Sequence, residues 1–168
     1  MLFSNNPQEE KLITPRNPKD LTLANLTPRR PTMGPDIPVI LWRLLRLVSL
    51  HDILRDETAV VVHLMGKRLG AALNVKTIEE LHEQLTRLKI GKLDFSVNTP
   101  DAVHLAVAEC LTCDGITPPI GKAICQLEAG IVAGALETIY PGRKVLSEET
   151  KCIGGLGDDV CLFECRII

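Results

Sequence analysis

Six cysteines, Cys110, Cys113, Cys125, Cys152, Cys161 and Cys165, carry most of the chemistry open to this chain. The first residues lack a basic segment followed by an apolar stretch, since Pro7, Glu9 and Glu10 intervene, so a cytoplasmic protein is expected. In a reducing compartment cysteines serve as metal ligands, catalytic groups or core thiols sooner than as a disulfide framework. If two closing strands are joined by a turn centred in the GGLGDD stretch, Cys152 and Cys161 fall opposite each other, and opposed Cβ atoms lie about 4.5 to 5.5 Å apart. Such a pair can share a metal ion or form a disulfide. Cys165 lies four residues further on, roughly 13 Å of strand, and zinc needs each sulfur within about 2.3 Å, so Cys165 reads as a core or edge thiol. The remaining ligands would come from Cys125, Glu149 or Glu148, Glu128, or the Cys110-x-x-Cys113 pair. A redox reading of that pair is weak, because Asp114, Gly115 and Pro118 follow it instead of a helix.

The elements that must position these groups follow from periodicity. Seven of the 11 prolines lie within the first 38 residues, where neither a helical nor a strand period persists, and residues 1–36 read as an extended arm. Residues 37–168 read as one folded domain. Ile40, Leu41, Leu44, Leu45, Leu47 and Val48 recur at helical spacing, with Arg43 and Arg46 turned elsewhere, and predict a helix over 39–54. A second helix over 57–73 contains Gly66 and Gly70, one turn apart, which leave room for a close neighbour. Thr77 and Glu80 form a capping box ahead of the stripe Ile78, Leu81, Leu85 and Leu88. Leu93, Phe95 and Val97, then Val103, Leu105 and Val107, alternate as a hairpin. Pro118 and Pro119 precede an apolar helix with Gly130 and Gly134, and two strands, about 144–153 and 160–168, close the chain. The order predicts an α+β fold: an antiparallel sheet of about four strands with helices packed on one face and a helical N-terminal half.

The stretches CDGITPPIGKAICQLEAGIVAGALETIY and EETKCIGGLGDDVCLFEC resemble the 4-vinyl-reductase-type, or hydrocarbon-binding, domain, and HLMGKRLGAAL resembles that family's helix with two glycines four apart. TMGPDIPVILWRLLRL is similar to the start of the first helix in archaeal members. The resemblance spans roughly residues 30–168. It implies a ligand-binding α+β fold shared with Golgi-transport tethering subunits and with phenol-sensing domains of transcription activators. It also implies a zinc ion held by three cysteines and a glutamate, here Cys125, Glu149, Cys152 and Cys161. Four protein ligands would make the site structural, since catalytic zinc keeps an open position. Glu149 and Cys152 are three apart, so an ideal strand would turn them to opposite faces. A bulge or an early strand end is required.

The family's apolar cavity implies a small hydrophobic or aromatic ligand, for which Leu44, Val60, Leu64, Leu105 and Leu127 offer lining and His63 and His104 offer polar contacts. The same residues would serve an ordinary core. The formal net charge of −2 and five aromatic residues argue against a nucleic-acid partner. No apolar run reaches the roughly 18 residues of a membrane span. No Ser/His/Asp set, phosphate loop or HExxH helix is present, so a noncatalytic sensor or carrier, homodimeric and signalling through a separate partner, is expected ahead of an enzyme. An assembly module without ligand is the main alternative, and an accessory subunit of a vinyl-group reductase a lesser one.

Overall fold

The computed structural model describes residue 26 and residues 28–168, so most of the expected Pro-rich arm lies outside the described residues. By its internal contacts Ile37–Ile168 forms one unit and Met1–Asp36 another. The predicted first helix is an interrupted one. Helix α1 (Val39–Arg43) runs through a π-helical stretch (Leu44–Ser49) into α2 (Leu50–Leu54). A 3₁₀ turn over Arg55–Glu57 then leads into α3 (Thr58–Ala72).

The orientation of this first segment follows from backbone chemistry. The loop between the second strand and the long buried helix has carbonyl groups with no ladder partner, and buried carbonyls must find donors. Arg43 Nε donates to Leu111 O at 2.9 Å, and Arg46 Nη2 donates to Ile124 O at 3.0 Å. Arg46 is therefore only 4% exposed, while Ile40, Leu41, Leu44, Leu45 and Val48 point outward.

Helix α4 (Ile78–Arg87) is capped by Thr77, whose Oγ1 accepts from Glu80 N at 3.2 Å. The reciprocal bond of the predicted capping box is displaced by one residue: Glu80 Oε2 accepts from Lys76 N at 2.7 Å. Strands β1 (Lys92–Asn98) and β2 (Ala102–Ala108) form the expected hairpin. After the loop come α5 (Gln126–Ile139), β3 (Val145–Lys151), a short helix α6 (Ile153–Leu156) and β4 (Cys161–Ile167). The four strands make one antiparallel sheet in the order β1-β2-β4-β3, and the fold is α+β.

One face of the sheet is built from Val103, Leu105 and Val107 on β2 and Cys161, Phe163, Cys165 and Ile167 on β4, all buried. Helix α5 packs on the sheet and is buried from Leu127 to Leu136, as a helix apolar on every side must be. Its other flank meets α3 backbone to backbone. A Cβ added at Gly66 would lie 2.9 Å from Gly130 Cα, and one at Gly134 would lie 2.8 Å from Lys67 Cα. Thr58, Val62, Gly66 and Gly70 form the buried seam of α3, so the paired glycines of the sequence are the two halves of one close crossing.

Candidate metal centre

Four segments that the chain separates by up to 51 residues converge at one end of α5. The CxxC pair sits in a tight turn: Cys113 N and Asp114 N both donate to Cys110 O, at 3.3 and 3.0 Å, which folds the two thiols toward the same side. Cys125 is the residue that leads into α5. Glu149 comes from β3, and the pairing of β3 with β4 slips by one residue between Glu149 and Lys151. This bulge turns the chain so that Glu149 and Cys152 reach one site, as the three-residue spacing demanded. Cys161 opens β4 opposite Val107.

The connection between Cys152 and Cys161 departs from the predicted turn. The ladder ends at Lys151 and Leu162, and Cys152 leads instead into α6. The two glycines of that helix let the thiols close in. Loop residues Ile120 and Gly121 donate to Gly154 O and Gly155 O at 3.2 and 2.8 Å, and a Cβ at Gly155 would stand 2.7 Å from Cys152 Sγ. Gly157 ends the turn in the left-handed conformation at φ +86°, where any other residue is strained.

The donor atoms fall into two overlapping quartets, each with all its atoms within 4.8 Å of one another: Cys110, Cys113, Cys125 and Cys161, and Cys125, Glu149, Cys152 and Cys161. Cys125 Sγ lies 3.7 Å from Cys110 Sγ and 3.9 Å from the sulfurs of both Cys152 and Cys161. Sulfurs at the corners of a zinc tetrahedron with bonds of about 2.3 Å stand about 3.8 Å apart. Cys113 Sγ is 3.2 Å from Cys161 Sγ and 4.0 Å from Cys152 Sγ. Cys165 is buried on β4, opposite Ser147, and belongs to neither quartet.

Electrostatics mark the site as incomplete without a cation. Burial first, and then Cys152, pushes the Glu149 carboxyl up to about 9. Its Oε2 accepts from Cys125 N at 2.7 Å, whereas the buried Oε1 has no partner. Hydrogen bonds among the thiols, from Cys113 and then Cys125, draw Cys110 far below the usual thiol range, while Cys125 and Cys161 are driven up by Cys110 and Cys113. Crowded thiols cannot ionise together unless a positive ion is among them. The residues fit a tetrahedral, sulfur-rich ion of the zinc type. Such an ion would fasten the start of α5 to the β3–β4 end of the sheet and, through Cys110 and Cys113, to the loop after β2.

The pocket residues disperse. Leu105 and Leu127 are buried, Leu44, Val60 and Leu64 are exposed, and His63 on α3 and His104 on β2 are half-buried on different elements. Leu105 borders a small internal cavity of about 10 Å³ with Leu85, Val107, Phe163 and the carboxylate of Glu128. Glu128 is fully buried; its Oε1 accepts from Thr112 Oγ1 at 2.5 Å and its Oε2 has no partner. A larger cleft of about 450 Å³ lies between the first helical segment and the loop before α5, with Arg46, Leu47, His51, Ala59, Ile120 and Ile124 on its walls. Helical periodicity alone did not find this cleft, because it did not show that Arg46 turns inward.

Comparison with known proteins fits this architecture. The vinyl-4-reductase domain family model matches residues 103–167, the stretch holding both quartets. Over 136 residues the chain is 30% identical to protein MJ1642 of Methanocaldococcus jannaschii, covering 81% of each. The chain belongs to the vinyl-4-reductase domain family. A second M. jannaschii protein, MJ0150, is 30% identical over 166 residues, covering 95% of this chain and 93% of that one. Among solved structures, this member is similar in fold to a vinyl-4-reductase family protein from M. jannaschii (TM-score 0.63, 24% identity, covering 81% of this chain and 85% of that one). It is also similar to the phenol-responsive sensory domain of the transcription activator PoxR, solved with phenol (TM-score 0.65, 14% identity, 78% and 75% covered). A third similar structure is a trafficking protein particle complex subunit 3 from Naegleria fowleri, covalently bound to palmitic acid (TM-score 0.57, 17% identity, 77% and 95% covered). Among the described residues, no helix is long and apolar enough to cross a membrane.

Proposed function

We propose that this vinyl-4-reductase family member is a noncatalytic, cytoplasmic binding module for a small apolar molecule, held in shape by structural zinc. The observation that carries the reading is the convergence of Cys125, Glu149, Cys152 and Cys161 with an unpartnered Glu149 oxygen among them. Four protein ligands leave no position for a reacting water, which is the arrangement of a structural ion. The ion's work is to hold the loop before α5, and with it one wall of the 450 Å³ cleft, against the first helical segment. A cleft of that size lies within the usual range for small-molecule sites, about 300–1,000 Å³. Its cationic rim of Arg46, His51, Arg55 and Lys122 favours an apolar ligand with a phenolic or carboxylate oxygen. The phenol and palmitic acid named for two similar structures have that chemistry.

The test is elemental analysis of protein purified without chelator, with organic extraction and mass spectrometry of the same sample. Zinc in whole-number stoichiometry together with a recurrent apolar acid or phenol supports the proposal. Absence of metal with an intact fold overturns the structural-ion part. A purely assembling role without ligand is favoured by a different feature, the outward apolar side chains of the first helices. Zinc-loaded protein that never yields an organic ligand would select that role.

A further inference from the structure

We propose that the site is binuclear: two zinc ions share the Cys125 and Cys161 sulfurs as bridging thiolates. One ion is completed by Cys110 and Cys113, and the other by Glu149 and Cys152. The inference rests on the metal-site reading above and deepens it. A tetrahedral zinc ion takes four donors, yet six converge here, five of them fully buried cysteines. They do not form one crowded shell. They divide into two quartets that have two members in common, and both common members are sulfurs. A thiolate sulfur retains lone pairs after binding one ion and can bind a second. A carboxylate or thiolate that serves one ion belongs on the outside, as Glu149, Cys152, Cys110 and Cys113 do.

Charge balance favours the same count. Six ionised donors around a single dication would leave four net negative charges in a buried site, a heavy desolvation penalty. Around two dications they leave two, the same as an ordinary four-thiolate zinc site. The buried cation Arg46 is already committed to Ile124 O. Cys113 Sγ and Cys152 Sγ belong to different quartets and stand 4.0 Å apart, so loading of both ions is expected to spread this pair.

Native mass spectrometry of the purified chain counts the ions directly. Two zinc ions per chain are expected. A single ion overturns the binuclear centre while leaving the structural-zinc reading intact, and none overturns both. Iron with acid-labile sulfide in place of zinc also overturns the proposal. Exchange with ¹¹³Cd supplies the geometry: two resonances are expected, split by coupling through the shared sulfurs, and one resonance or two uncoupled ones would contradict bridging. The Cys110→Ser/Cys113→Ser double variant should fold and keep one ion, because the other quartet is untouched; retention of two would refute the assignment. If that variant fails to fold, the wild-type ion count and cadmium spectrum still decide.

Discussion

Burial without full hydrogen bonding decides how Glu128 responds to pH. Desolvation pushes its carboxyl above the ordinary range, opposed by the Thr112 hydroxyl. A carboxyl whose native value is raised binds a proton in the folded state that the unfolded chain has released. Its favourable contribution is complete below the ordinary carboxyl value and is lost as pH rises through the raised one. At equal metal loading, Glu128→Gln should therefore gain stability relative to wild type as pH is raised from about 5 to about 8, as read from paired denaturant titrations. An unchanged difference would mean that Glu128 stays ionised throughout. The cysteines give a second prediction at this scale. Cys161→Ser should lose all bound zinc and several kcal/mol of stability, because metal binding and folding are coupled. Cys165→Ser should keep the full metal content, since burial pushes that thiol up to about 11, away from the thiolate form a metal takes. Residue type and spacing made Cys125, Glu149, Cys152 and Cys161 legible as one set. The place of Cys110 and Cys113 was not legible, because the stretch from 109 to 125 has no period from which direction can be read.

Among the elements, the crossing of α3 over α5 is where small changes should cost most. Gly66 and Gly70 meet the backbone of α5, and Gly130 and Gly134 meet the backbone of α3. Neither side has a side chain that can swing away. Gly66→Ala would set a methyl group 2.9 Å from both Gly130 Cα and Ile131 N, so the helices must separate or tilt. Overpacking of this kind costs about 1–3 kcal/mol, and the melting temperature of the Gly66→Ala variant should fall accordingly. Because α5 begins just after Cys125, the same variant should also bind zinc less tightly in a chelator competition. Gly142, with open space around it, is the control position for cavity crowding. The sequence spacing of glycines, four apart on two predicted helices, was sufficient to foresee a close neighbour. It did not say that the neighbour of each pair was the other. Partner choice of that kind depends on chain topology, whereas a one-residue bulge near Thr150 could be demanded from the Glu149 and Cys152 spacing alone.

At the scale of the whole molecule, the first helical segment is turned with its polar side in. Arg43 and Arg46 bond loop carbonyls, while Ile40, Leu41, Leu44, Leu45 and Val48 are 45–63% exposed. The sequence pattern showed an amphipathic helix but not its orientation, since an apolar stripe is equally compatible with a domain's own core and with a second chain. Val60 and Leu64 on α3 are exposed as well. Contiguous exposed apolar surface of this kind marks an association site. A second copy is the simplest occupant, because the symmetry of a two-fold dimer lets one apolar patch meet itself. The protein should therefore run as a dimer in light scattering coupled to size exclusion, with a melting temperature that rises with concentration. Leu45→Glu sits in the middle of the exposed row and belongs to neither quartet. It should convert the dimer to a monomer while leaving the zinc count unchanged. A dimer that persists in Leu45→Glu would place the interface elsewhere, and a monomeric wild type would leave the outward row to another partner. Loss of zinc together with loss of the dimer would mean that association and the metal centre are coupled through Arg43 and Arg46, the two residues that join the helix to the cysteine loop.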